Sequence, residues 1–186
     1  MNTEEYLQRV TIGGASLHNQ DITLLEYDPQ WPLLFQKESE KIRAALPSQQ
    51  VRIEHVGSTS IPGLCAKPII DILMIVQDAS DENSYVPPLT SIGYLLRIRE
   101  PDWYEHRMLK GQDPTVNLHV FSQGCEEAER MLLFRDWLRT HPEDRDRYAD
   151  TKRQLARRKW KYVQDYANAK SEVVQDILLR AQKLPD

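Results

Sequence analysis

Asp71 stands alone among apolar neighbours in the run Ile69-Ile70-Asp71-Ile72-Leu73-Met74-Ile75-Val76. Such a run reads as a central strand covered on both faces. An ionised carboxylate there costs roughly several kcal/mol unless a cation, a metal or several donors compensate it. Two readings follow: a salt bridge to Lys67 or to an arginine from the C-terminal half, or a ligand for a metal or a metal-phosphate pair at the strand's end. Upstream, Gly57-Ser58-Thr59 closes a second apolar stretch, Val51 to Val56. A glycine after a strand lets the backbone approach a phosphate, while exposed N–H groups and a hydroxyl supply donors. Short Gly-Ser turns are commonly only turns. Here the twelve residues between Ser58 and Asp71 allow one turn of helix and a return along an adjacent strand.

The other candidates are a histidine and a set of cations. In Thr115 to Phe121 the residues Val116, Leu118 and Val120 alternate, so His119 points to the opposite face together with Asn117. His119 reads as a base or ligand near neutral pH, or as a histidine hydrogen-bonded for structure. His55 shares a face with Val51 and Ile53 and reads as structural. Cations that could meet phosphates are Lys67 ahead of the Asp71 strand, Arg107 and Lys110 on a hairpin, and Lys152 and Lys170 from the C-terminal half. Lys170 falls inside an apolar stripe made by Tyr166, Ala167, Val174, Ile177 and Ala181, so it either snorkels or reaches into a cleft. Lys152 lies at the edge of a similar stripe, between Tyr148 and Leu155. The basic run Arg153, Arg157, Arg158, Lys159 and Lys161, with Trp160 and Tyr162 interleaved, is compatible with phosphate contact and stacking. Glu143, Asp144, Asp146 and Asp165 flank it, which fits a solvated helix face, and nucleic-acid binding is not predicted.

The elements that must position these residues follow from periodicity. A polar arm, residues 1–20, carries a Gly13-Gly14 break and is expected to be loosely held. One domain, 21–186, then divides into a sheet part, 21–123, and a helical part, 124–186. Strands are predicted over Ile22–Tyr27, Val51–Val56, Ile69–Val76, Tyr94–Ile98, Trp103–Lys110 and Thr115–Phe121, the last two joined through Gly111-Gln112-Asp113-Pro114 as a hairpin. Asp28-Pro29 opens an amphipathic helix that ends at Pro47. Asp78 to Gly93, with two prolines, reads as a loop with at most a short helix. After Gly124 three helices are expected, over Glu126–Thr140, Glu143–Val163 and Asp165–Gln182. Thr140-His141-Pro142-Glu143 has the spacing of a capping box for the second.

Composition narrows the function classes. At 186 residues the chain can bury a single core without staples. Charged residues make up 28% and the net charge is -4, so nothing global marks a polyelectrolyte that coats nucleic acid. Cys65 and Cys125 lack zinc-site spacing and read as free thiols of a reducing compartment. No leader-like or membrane-spanning stretch is apparent, so no membrane partner and a cytoplasmic location are expected.

The segment Glu54-His55-Val56-Gly57-Ser58-Thr59-Ser60-Ile61-Pro62-Gly63-Leu64, followed by Ala66-Lys67-Pro68-Ile69-Ile70-Asp71-Ile72, resembles the central signature of the GrpB family. Tyr27-Asp28-Pro29-Gln30-Trp31-Pro32, Leu118-His119-Val120-Phe121, Phe134-Arg135-Asp136-Trp137-Leu138-Arg139, Lys152 and Ala169-Lys170-Ser171 resemble it too, so the likeness runs from about Ile22 to Leu179. The resemblance implies an α/β (α+β) nucleotidyltransferase-like mixed β-sheet with flanking helices and a C-terminal helical segment. It implies a nucleoside triphosphate or other phosphorylated small molecule as partner, Mg²⁺ or Mn²⁺ as cofactor, and Asp71 as metal ligand. Asp71 and His119 would be catalytic; Gly57, Ser58, Thr59, Lys67, Arg107, Lys152 and Lys170 would hold phosphates. It also implies a coenzyme A connection, because GrpB-like domains can be fused to dephospho-CoA kinase, although this chain has no Gly-rich Walker loop. One departure matters: the superfamily's second acid would fall at position 73, which is Leu73.

Overall fold

The structure, a computed structural model, describes residues 3–14, 22–160 and 162–183. Five strands, β1 (Arg52–Val56), β2 (Ile70–Val76), β3 (Leu95–Glu100), β4 (His106–Gly111) and β5 (Val116–Ser122), form one sheet in the order β1-β2-β5-β4-β3. Only β2 and β5 run parallel; the other neighbours are antiparallel, so the sheet is mixed. β2 is the central strand expected from its unbroken apolar run, and every residue in it except Asp71 is buried.

The register divides side chains between two faces. On one face Ile53, Ile72, Met74, Leu118, Val120 and Leu109 join Trp31, Ile42, Tyr85 and Leu89 in the main core. Helices α2 (Trp31–Ala45) and α3 (Glu82–Ser91) cover it. On the other face Val56, Leu73, Ile75 and Phe121 pack under Ala128 and Leu132 of α4 (Glu126–Thr140). α5 (Pro142–Ala156), α6 (Val163–Ala169) and α7 (Ser171–Lys183) follow; Tyr148, Ala149, Val173 and Ile177 pack with Leu138 of α4 and with Ile61, Leu64 and Cys65 ahead of β2.

Local physics explains where the chain departs from the pattern reading. Ile22–Tyr27 is not a strand; it touches the fold through one bridge, Leu25 to Ala66, while Ile22 and Leu24 bury against the C-terminal helices. Asp78–Gly93 contains the ten-residue α3 despite Pro87 and Pro88 inside it. A proline at 88 cannot donate to the carbonyl of Ser84, and the Gln49 side chain donates to that carbonyl instead. Residues 3–14 of the N-terminal arm are not loose: α1 (Thr3–Val10) is followed by a bridge from Thr11 to Ile98 of β3. Thr140 does not cap α5, since its hydroxyl turns back to the carbonyls of Asp136 and Trp137. The last helix is two helices, broken at Lys170, and α5 stops at Ala156, so of the basic run it carries Arg153 while Arg157, Arg158 and Lys159 lie beyond it. Lys161 of that run lies outside the described residues.

Candidate functional site

The site is built where β1, the turn after it, and the parallel pair β2 and β5 meet. Gly57 ends β1 with φ 68° and ψ -175°, a conformation essentially reserved for glycine. A Cβ there would lie 2.9 Å from the Asp71 Cβ and run into its carboxylate, so the turn and the acid are in direct contact. The turn Ser58–Ser60 is braced by its own atoms: the Ser60 hydroxyl donates to Gly57 O at 2.6 Å, and Thr59 donates to Ile69 O at 3.2 Å. Arg139 of α4 adds two bonds, at 3.0 and 2.9 Å, to the carbonyl of Ser60.

Asp71 pairs in register with Asn117, and Leu73 with His119, so all four side chains share one face. Asn117 Nδ2 donates to Asp71 Oδ1 at 3.0 Å, and His119 Nε2 lies 3.8 Å from the same oxygen. Burial pushes the Asp71 carboxyl up, but the interactions with His119, then Asn117 and Lys67, outweigh it and hold the group below the usual carboxylate range. The side chain is still 28% exposed. It opens on a cavity of about 140 Å³ that Ser58, Lys67, Asn117, Lys152, Tyr166 and Lys170 also line. The expected salt bridge is not what compensates Asp71: among the described residues no lysine or arginine lies within ion-pair distance of it.

Three lysines converge on this cavity. Lys152, 2% exposed, donates to Ser58 Oγ at 3.0 Å and to the carbonyl of Cys65, and lies over the Tyr148 ring. Lys67 and Lys170 lie over the Tyr166 ring, 5.5 and 4.6 Å from its centre. Burial drives Lys152 down to about 7 and Lys67 down to about 8, with Lys170 adding to both by like charge. Burial lowers Lys170 as well, against the pull of Asp71. Among the described residues none of the three makes an ion pair with a carboxylate, and Asp71 is the only acid lining the cavity. Two buried side-chain atoms find no hydrogen-bond partner among the described residues, Asn117 Oδ1 and Tyr166 OH, and both belong to residues of this cavity.

Gly57, Ser58, Thr59, Lys67, Asp71, Lys152 and Lys170 are thus brought together, with His119 adjoining Asp71. Arg107 is not. It alternates with His106 and Met108, so it points through the opposite face, where it pairs with Glu82 at 2.5 Å and with Glu105 at 3.1 Å. Sequence reasoning left out Asn117, although it noted the shared face, and it missed His106 and Glu100. His106 Nε2 lies 3.1 Å from His119 Nδ1, and its Nδ1 lies 2.5 Å from Glu100. Alternation along β4 placed His106 beside Met108 and Lys110; only the hairpin register brings it to His119.

The two-ion cage of nucleotidyl transfer, with ions ~4 Å apart, does not fit these residues. Leu73, fully buried in the apolar cluster with Phe121, occupies the second acid's position, and no group of three metal-binding side chains occurs among the described residues. One hard cation fits these residues better, with the Asp71 carboxylate and the unpartnered Asn117 Oδ1 as the oxygen ligands that would hold it.

This mixed sheet with its turn, carboxylate strand and flanking helices is a nucleotidyltransferase-like fold. It matches the Cid1 poly(U) polymerase at a TM-score of 0.53 and 9% identity, over 70% of this chain and 43% of that one, a likeness of fold alone. The chain belongs to the GrpB family, whose sequence profile, described as GrpB protein, matches residues 21–180. A UPF0157 protein of Halalkalibacterium halodurans is 60% identical over 96% of this chain and 92% of its own length. The crystal structure of the conserved protein GrpB from Enterococcus faecalis superimposes at a TM-score of 0.73 with 29% identity, over 85% of this chain and 98% of that one. Among the described residues no helix is long and apolar enough to cross a membrane.

Proposed function

We propose that the chain binds a nucleoside triphosphate, or another phosphorylated small molecule, with its phosphates among Lys67, Lys152, Lys170 and the Gly57–Thr59 turn. One observation carries this reading: three lysines face a cavity whose only acid among the described residues is Asp71. Burial without a compensating anion drives an ammonium toward its neutral form. A phosphate chain would provide that compensation and return protons to the lysines. Asp71, with Asn117, would hold one Mg²⁺ or Mn²⁺. A divalent ion bound there supplies charge neutralisation and polarises a phosphoryl oxygen. The reaction is then transfer of a nucleoside monophosphate to an acceptor hydroxyl, with His119 as the base.

Leu73 favours a second reading, a catalytically inactive nucleotide-binding or protein-interaction module, because it removes a ligand on which two-ion transfer depends. Thermal unfolding with each nucleoside triphosphate, with and without Mg²⁺ or Mn²⁺, separates the two. A ligand at 100 times its dissociation constant adds about 2.7 kcal/mol. Stabilisation that needs metal and is lost in Asp71→Ala supports transfer, and stabilisation without metal supports the module. Failure of every triphosphate would contradict both nucleotide readings and leave a protein-interaction role.

A further inference from the structure

The cavity at Asp71 is small, and the groups that line it suit one part of a nucleotide better than the rest. Its volume of about 140 Å³ falls below the ~300–1,000 Å³ of pockets that enclose a drug-sized ligand. Its apolar lining, Leu24, Ala66 and Ile69, is aliphatic. Tyr166 is the one aromatic residue of the lining among the described residues, and its ring is not open to a base. The residue is 1% exposed, and the ammonium groups of Lys67 and Lys170 already lie over the ring, at 5.5 and 4.6 Å. Its hydroxyl, buried and without a hydrogen-bond partner among the described residues, adds a polar atom rather than a stacking surface. A base stacked on an open aromatic face gains about 5–150-fold in affinity from that contact, and the cavity lining provides none.

The cations, by contrast, are concentrated. Lys170 acts on Lys67 by like charge, and both act on Lys152, so the three ammonium groups lie close enough to repel one another. One phosphate monoester brings about −1.5 to −2 charges at neutral pH, which a single divalent ion would cancel. Three lysines with one carboxylate between them among the described residues match a longer run of phosphoryl oxygens. Lys152 is held at the Gly57–Thr59 turn by its bond to Ser58 Oγ at 3.0 Å, which sets one cation against the backbone that a phosphate would approach.

We propose that the site recognises the polyphosphate chain and leaves base and sugar outside, so that its ligands are triphosphates of any base and inorganic tripolyphosphate alike. The inference rests on the phosphate-binding reading above and narrows its ligand class.

Calorimetric titration of the full chain at pH 7 with Mg²⁺ tests this, with inorganic tripolyphosphate, the four ribonucleoside triphosphates, AMP and adenosine as separate probes. Tripolyphosphate and the four triphosphates are expected to bind within about threefold of one another, AMP about tenfold or more weakly, and adenosine without measurable heat. Lys170→Met should weaken tripolyphosphate and ATP by the same factor, about tenfold or more, since each loses the same charge-assisted contact. Lys67→Met serves in its place if that variant does not fold. ATP bound about tenfold more tightly than tripolyphosphate, one base preferred by about tenfold, or a lysine variant that loses tripolyphosphate and keeps ATP would overturn the inference while the nucleotide reading stands. No binding by any phosphate probe would contradict that reading as well.

Discussion

Two clusters of cations, one around the buried Arg107 and one around the buried Lys152, lie on opposite faces of the same sheet, and their partners set them apart. On the α3 face, Arg107 and Arg99 share the Glu82 carboxylate, at 2.5 and 2.6 Å, and Glu105 adds a second acid to Arg107. Charges there are matched, the geometry is that of guanidinium and carboxylate, and the cluster ties β3 and β4 to α3. On the Asp71 face, Lys67, Lys152 and Lys170 meet one acid between them among the described residues, and burial lowers all three. A cation paired inside the fold belongs to the fold; the lysines, without a carboxylate partner among the described residues, are the ones the proposed phosphate binding would use. That contrast separates Arg107 from the lysines, a distinction residue type alone could not make.

Breaking the matched cluster should cost the most. Arg107→Met leaves Glu82 to Arg99 alone and takes the cation from Glu105, and is expected to lower unfolding free energy by about 3 kcal/mol in urea titrations, since the buried guanidinium is removed from a charge cluster built around it. A loss below roughly 1 kcal/mol, the range of surface pairs, would mean the cluster is not structural.

Gly57→Ala attacks the junction between turn and acid. At φ 68° and ψ -175° the alanine is strained by about 1–3 kcal/mol, and its Cβ collides with the Asp71 carboxylate. Reduced stability together with loss of triphosphate binding is expected. Loss of stability with full binding would show that the carboxylate is not held by the turn.

Lys152→Met sharpens the comparison, because it removes a buried cation that has no carboxylate. Its stability in the absence of ligand is expected to stay within about 1 kcal/mol of wild type or to rise, unlike Arg107→Met.

A further effect is expected in the pH dependence. Lys152 and Lys67, at about 7 and about 8 in the fold, lie below the ordinary lysine value. The unfolded chain therefore binds more protons than the fold above pH 7, and stability contributed by these groups rises from about pH 7 toward pH 10. Lys152→Met should flatten that rise. Ligand binding runs the other way: phosphates draw protons onto the lysines, so calorimetry at pH 8 in buffers of different ionisation enthalpy should report proton uptake. Proton release would contradict it.

Much of the sheet was legible because strand patterns are local. The apolar run around Asp71 gave β2, and alternation gave β5 with His119 and Asn117 on one face. What stayed hidden depends on long-range partners. Ile22–Tyr27 has a strand's composition but pairs only at Leu25, and its Ile22 and Leu24 pack against the C-terminal helices. Pro87 and Pro88 argue against a helix until Gln49 is seen to satisfy the freed Ser84 carbonyl. Arg107 and His106 are adjacent in sequence, and only strand register tells which of them faces Asp71. The resemblance puts a second acid at position 73, and the burial of Leu73 beside Phe121 accounts for an apolar residue there.

Equilibrium binding of a nucleoside triphosphate to the wild-type chain and to Lys152→Met at pH 7, with Mg²⁺ present, bears most directly on the claim that the unmatched lysines await phosphate. The expected result is saturable binding by the wild type and at least tenfold weaker binding by a variant that is no less stable. Equal binding by both proteins, or none by either, would contradict it.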